Sequence, residues 1–150
     1  MEQVQQNILS RHTVNTVVAI CMDFRFYPHW DEALFRAFDI KEFDPVSLAG
    51  GAKNIALPGS PPRKEVMVED IGLAVEKHHA NTIILLTHQN CGKYAADGYT
   101  FTDFETERAF HHTELQKAAA NIHAKFPSIK ILPGFMYVNK ENKVVIEPIE

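Results

Sequence analysis

Two stretches of the chain carry no charge and are built almost wholly from β-branched and aliphatic residues: Thr16-Val17-Val18-Ala19-Ile20-Cys21 and Thr82-Ile83-Ile84-Leu85-Leu86-Thr87. A strand with one wet face alternates polar and apolar residues, whereas a run that is apolar at every position is covered on both faces, as in a parallel sheet between helices. The sequence around these runs supplies the helices. Residues 29–38 have helical spacing with Trp30, Leu34 and Phe38 on one side. Ser60-Pro61-Pro62 marks a helix start, because serine caps free N–H groups and proline is tolerated in the first turn. That helix, over roughly 61–79, places Val66, Ile71, Leu73, Ala74 and Val75 toward a core and ends in His78-His79, which suit the negative end of its dipole. Thr102-Asp103-Phe104-Glu105 is a capping-box pattern opening a long helix to about Lys125, where Pro127 stops it.

A short strand from Phe43 runs into the glycine turn at Gly50-Gly51, and two last strands, around 129–138 and 143–147, are joined by the polar turn Asn139-Lys140-Glu141-Asn142. Strands alternating with helices predict an α/β fold, a mainly parallel central sheet flanked by helices, with an antiparallel edge strand from the C-terminal hairpin. At 150 residues and 45% hydrophobic the chain fits a single domain, 1–150, with residues 1–12 as an N-terminal helix or arm. A net charge of −4 with scattered lysines gives no footprint for nucleic acid. The longest apolar runs are about five residues, far short of the ~20 that span a bilayer, and the start of the chain lacks the order of a signal peptide. The expectation is a cytoplasmic protein acting on a small molecule.

The only cysteines, Cys21 and Cys91, each follow one of the buried runs, and His88 stands three residues before the second. Thiolate and imidazole are ligands that Zn²⁺ prefers, and three protein ligands leave a fourth position for water or a carboxylate. Asp23, with Arg25 two residues on, is a candidate for that fourth role. Ligands of α/β sheets collect beyond the carboxyl ends of the strands, so Cys21, His88 and Cys91 converge if their strands are neighbours. A Cys21–Cys91 disulfide and a cysteine nucleophile are the competing readings; the second requires a thiol of lowered pKa, exposed to substrate.

Cys21-Met22-Asp23-Phe24-Arg25 and His88-Gln89-Asn90-Cys91-Gly92 resemble the paired signatures of the β-class carbonic anhydrases. The likeness extends to the Ala49-Gly50 turn, the helix bearing Asp70-Ile71-Gly72-Leu73-Ala74-Val75 and the strand with Gly134-Phe135-Met136-Tyr137. The resemblance implies Zn²⁺ held by Cys21, His88 and Cys91, and Asp23 and Arg25 as the catalytic pair that orients the metal's water. It also implies reversible hydration of CO₂ to bicarbonate by metal-bound hydroxide, in a homodimer or higher homo-oligomer. Some members of that family place the aspartate on the zinc, which would make Asp23 a fourth ligand in a closed state. His29, His78, His79, His111 and His112 are shuttle candidates by their ordinary pKa, most of them read here as surface helix residues.

The chain departs from the family in the turn after the second strand. Where Arg-Asn-Ala-Gly-Asn is common, it has Ser47-Leu48-Ala49-Gly50-Gly51. The polar groups lost there belong to the substrate side, which leaves two alternatives on the same scaffold: a zinc hydrolase of a related small electrophile such as COS or CS₂, and a non-catalytic zinc-binding or regulatory protein. The aromatic cluster Phe24, Phe26, Tyr27 and Trp30 lines a pocket, forms an interface or joins the core.

Overall fold

The computed structural model describes residues 7–57 and 61–150. Five strands form one sheet in the order β2-β1-β3-β4-β5: β1 Thr16–Ile20, β2 Asp44–Ser47, β3 Thr82–His88, β4 Lys130–Val138 and β5 Val144–Pro148. The first three pairings are parallel and β4–β5 is antiparallel, so the expected parallel sheet with its antiparallel edge is what the chain builds. Around it lie α1 Trp30–Phe38, entered through a 3₁₀ turn at Tyr27–His29, α2 Lys53–Ala56, α3 Pro61–Lys77, α4 Gly92–Ala96 and α5 Phe104–Lys125.

Alternate residues of the apolar runs serve opposite faces. Val17, Ala19, Ile83 and Leu85 pack with Met67, Ile71 and Ala74 of α3 and with Leu115, Ala118 and Ile122 of α5. Val18, Ile20, Ile84 and Leu86 pack with Trp30, Ala33 and Leu34 of α1 and with Ile146 of β5. Each valine, leucine, isoleucine or methionine fully buried there contributes about 1.5–3 kcal/mol, which is why neither run tolerates the polar alternation of a half-wet strand.

The parallel register aligns Thr16 with Thr82 and Ala19 with Leu85, so the carboxyl ends of β1 and β3 lie side by side. The turn after β2 crosses both ends. Leu48 N–H donates to Ile20 O at 3.2 Å and Ala52 N–H to Leu86 O at 2.9 Å. Gly51, at φ +54°, is pressed between them: a Cβ there would stand 2.5 Å from Leu86 O and 2.9 Å from Cys21 N. Only glycine fits such a gap.

Several expectations are corrected. Val66 and Leu73 are 46% and 54% exposed, because the buried stripe of α3 runs Met67–Ile71–Ala74 and leaves both off its axis. The helix ends at Lys77; His79 turns left-handed at φ 59° and Ala80 N–H reaches back to Ala74 O, a left-handed helix end. Asp103, rather than Thr102, caps α5, its carboxylate accepting from Thr106 N–H at 2.7 Å. The helices α2 and α4 are too short to show a period. Ser60 and residues 1–6 of the N-terminal arm lie outside the described residues; 7–9 are helical.

Candidate metal centre

β1 delivers Cys21 one residue past its end, and β3 ends in His88 itself. Beyond it, Asn90 adopts φ 58°, and this left-handed turn brings Cys91 back as the residue capping α4. The ligand atoms of Cys21, His88 and Cys91 lie within 4.8 Å of one another, and all three residues are buried. The two cysteines are free thiols rather than a disulfide.

The imidazole of His88 is aimed. Its Nδ1 lies 2.6 Å from Gln89 O, which selects the tautomer with the proton on Nδ1 and the lone pair on Nε2. Phe26 packs on the ring with centroids 4.5 Å apart. Nε2 itself is buried without a hydrogen-bond partner among the described residues. A buried polar atom left unpaired costs free energy unless something satisfies it. One imidazole lone pair facing two sulfurs is a donor set that fits Zn²⁺.

The sulfurs behave as a pair. Cys91 is pushed down chiefly because the Cys21 thiol donates to it, with His88 adding to the effect, and the same contact together with burial pushes Cys21 up. Gly50 N–H also donates to Cys21 Sγ at 3.3 Å, which favours the thiolate. The glycine turn therefore supports a sulfur as well as bridging two strands.

Asp23 and Arg25 stand beside this group in a forked pair, Nε to Oδ1 at 3.0 Å and Nη2 to Oδ2 at 2.6 Å, with Arg25 N–H adding a bond to Oδ1 at 2.9 Å. The Arg25 guanidinium holds the Asp23 carboxyl below the usual carboxylate range. Asp23 Oδ2 is 3.8 Å from His88 Nε2. The remaining donors of Arg25 go to Asn90, Nη1 to Oδ1 at 2.8 Å and Nη2 to the backbone carbonyl at 2.9 Å. In front lies a cavity of about 900 Å³, lined by Asp23, Arg25, Asn90, Cys91 and Glu107 and by the apolar Met22, Phe24, Ala95, Tyr99 and Phe101.

Behind Cys91 is a second polar group. Tyr94 packs against both cysteines and donates its hydroxyl to Glu114 at 3.1 Å. The Lys53 ammonium, wholly buried, meets Asp97 at 2.5 Å and lies 5.4 Å over the Tyr94 ring.

The structure thus gathers Cys21, Asp23, Arg25, His88 and Cys91 and sorts the other candidates. Phe26 and Trp30 are core, while Phe24 and Tyr27 are exposed. His78 pairs with Asp44 at 2.6 Å, and His112 with Glu147 at 2.8 Å. His111 is fully buried, unlike the surface position expected of most of these histidines. Asn90 and Glu107 were not singled out from the sequence; Asn90 lies inside the His88–Cys91 motif, whereas nothing local marks Glu107.

A family profile described as "Putative carbonic anhydrase" matches residues 10–149. The chain belongs to this family. Its fold is that of the β-carbonic anhydrases: the enzyme of Streptococcus mutans superposes with a TM-score of 0.60 at 14% identity, over 99% of this chain and 93% of that one. The β-carbonic anhydrase isoform I of Trichomonas vaginalis gives 0.58 at 12% identity, over 97% and 92%. A carbon disulfide hydrolase in its apo form gives 0.54 at 13% identity, over 95% and 85%. In sequence, an uncharacterised protein of Rickettsia bellii is 27% identical over 141 residues, 91% of this chain and 84% of the relative. No helix among the described residues of this family member is long and apolar enough to cross a membrane.

Proposed function

We propose that the chain holds Zn²⁺ through Cys21, His88 and Cys91 and catalyses the reversible hydration of CO₂ to bicarbonate. The observation that carries this reading is the buried, unpartnered Nε2 of His88, turned toward two sulfurs beside the Arg25-clamped Asp23. Zn²⁺ at such a donor set acidifies a bound water strongly and supplies the nucleophile near neutral pH.

The chain's own residues do the rest. Asp23, ionised and fixed by the fork of Arg25, accepts a hydrogen bond from the attacking water and turns its lone pair toward the carbon of CO₂. Both Asp23 oxygens are engaged by Arg25, which favours the open site over one closed by Asp23 as fourth ligand. The apolar wall of Met22, Phe24, Tyr99 and Phe101 suits an uncharged linear substrate. That same wall favours a second reading, hydrolysis of COS or CS₂.

The test is stopped-flow CO₂ hydration, from neutral to mildly alkaline pH, on protein shown to carry one zinc per chain, with sulfide release from COS and CS₂ followed in parallel. Fast hydration supports the first reading; sulfide release without hydration moves it to the second. Inertness toward all three, with zinc bound, points to a binding or regulatory protein. We place the protein in the cytoplasm, where thiols stay reduced, and as a homo-oligomer. Exposed Phe24 and Met22 at the cavity rim support association, and light scattering tests it.

A further inference from the structure

We infer that Glu107 is a positioning residue for the Asp23–Arg25 pair, acting through the turn at Asn90. Glu107 sits in the first turn of α5, lines the cavity and is about a tenth exposed. Its Oε2 accepts the backbone N–H of Asn90 at 2.7 Å. Asn90 holds a left-handed conformation at φ 58°, one that asparagine adopts more readily than most residues. Its carbonyl and Oδ1 both accept from Arg25. Glu107 therefore fixes from the helix side the same residue that fixes Arg25, and Arg25 fixes Asp23.

A second group supports Glu107. His111, one turn along α5, is fully buried, stacks on Phe135 at 4.6 Å and brings Nε2 to 3.6 Å from Glu107 Oε2. Burial pushes the Glu107 carboxyl up, but the contacts with His111 and Asn90 outweigh it and leave the group below its ordinary range. A carboxylate so placed is a fixed acceptor and a poor carrier of protons.

The activity arm of the test rests on the function proposed above; the structural arm does not. The Nε–Hε signal of Arg25, assigned by its loss in Arg25→Lys, reports directly on the fork. In Glu107→Ala its exchange with solvent should quicken about tenfold, the equivalent of a hydrogen bond to a charged group, and kcat should fall about tenfold with KM and zinc content nearly unchanged. Glu107→Gln keeps an acceptor oxygen for Asn90 N–H and should restore both. Should the alanine variant not fold, Glu107→Asp, a methylene too short to reach, replaces it. An unaltered Arg25 signal in either folded short variant, or a glutamine variant as impaired as the alanine one, overturns the inference. Wild-type protein without hydration activity would sink the functional reading and leave the Arg25 signal to decide this one.

Discussion

Two carboxylate–cation pairs flank Cys91, and they differ in where the cation sits. Arg25, on the cavity side, is about half exposed, whereas the Lys53 ammonium behind Tyr94 is wholly buried. An ion pair with a solvated member contributes about 0–1 kcal/mol, so the fork on Asp23 adds little to stability and a great deal to direction. A buried ammonium that loses its carboxylate is left uncompensated, which is costly. The same chemistry therefore orients a group on one side of the cysteine and holds the fold together on the other.

The hardest blow to this comparison is to remove what both pairs flank. Cys91→Ala should lower zinc from one per chain to nearly none by atomic absorption and abolish hydration; full zinc in that variant would mean that the ligand set is wrong. Arg25→Ala should cut hydration about a hundredfold, the upper range for groups that orient a metal site, while the unfolding free energy from urea titration falls by less than about 1 kcal/mol. Asp97→Asn should do the reverse, costing about 2–3 kcal/mol in urea with hydration per folded molecule preserved; the figure is below the ~3–5 for a fully buried pair because Asp97 is about a quarter exposed and Lys53 keeps its bond to Leu57 O. If Arg25→Ala proves the more destabilising of the two, the division between direction and stability fails.

The smallest effect is in acid. Lys53 first, then Lys93, hold the Asp97 carboxyl below its ordinary value of 3.8. A depressed folded pKa means stability that is present above the unfolded value and lost as pH falls through the folded one. Wild-type stability should thus decline below pH 3.8 more steeply than that of Asp97→Asn, as pH-dependent urea titrations would show.

The strands were legible because β1 and β3 are apolar at every position, a pattern that only a doubly covered strand produces. The Cys21–His88–Cys91 cluster was legible because its members follow those strands directly. The burial of His111 was not legible for a physical reason: the upper inward face of α5 is Glu107, His111 and Glu114, all buried, a polar face that no apolar stripe announces. Glu107 and Lys53 were invisible because their partners, Asn90 and Asp97, are distant in sequence and no period connects them. Val66 and Leu73 show the opposite failure, apolar residues that meet the spacing rule and still face solvent.

A metal held at the junction of β1 and β3 would also link folding to metal supply. Neighbouring parallel strands are joined here through a long crossover, so Cys21 meets His88 and Cys91 only after distant parts of the chain have paired, and such contacts form late and slowly. An ion that binds only the finished junction draws the folding equilibrium toward it, by about 4 kcal/mol when free metal exceeds its dissociation constant a thousandfold. The resistance of this protein to unfolding would then be a property of its surroundings as much as of its sequence, rising and falling with the metal within its reach.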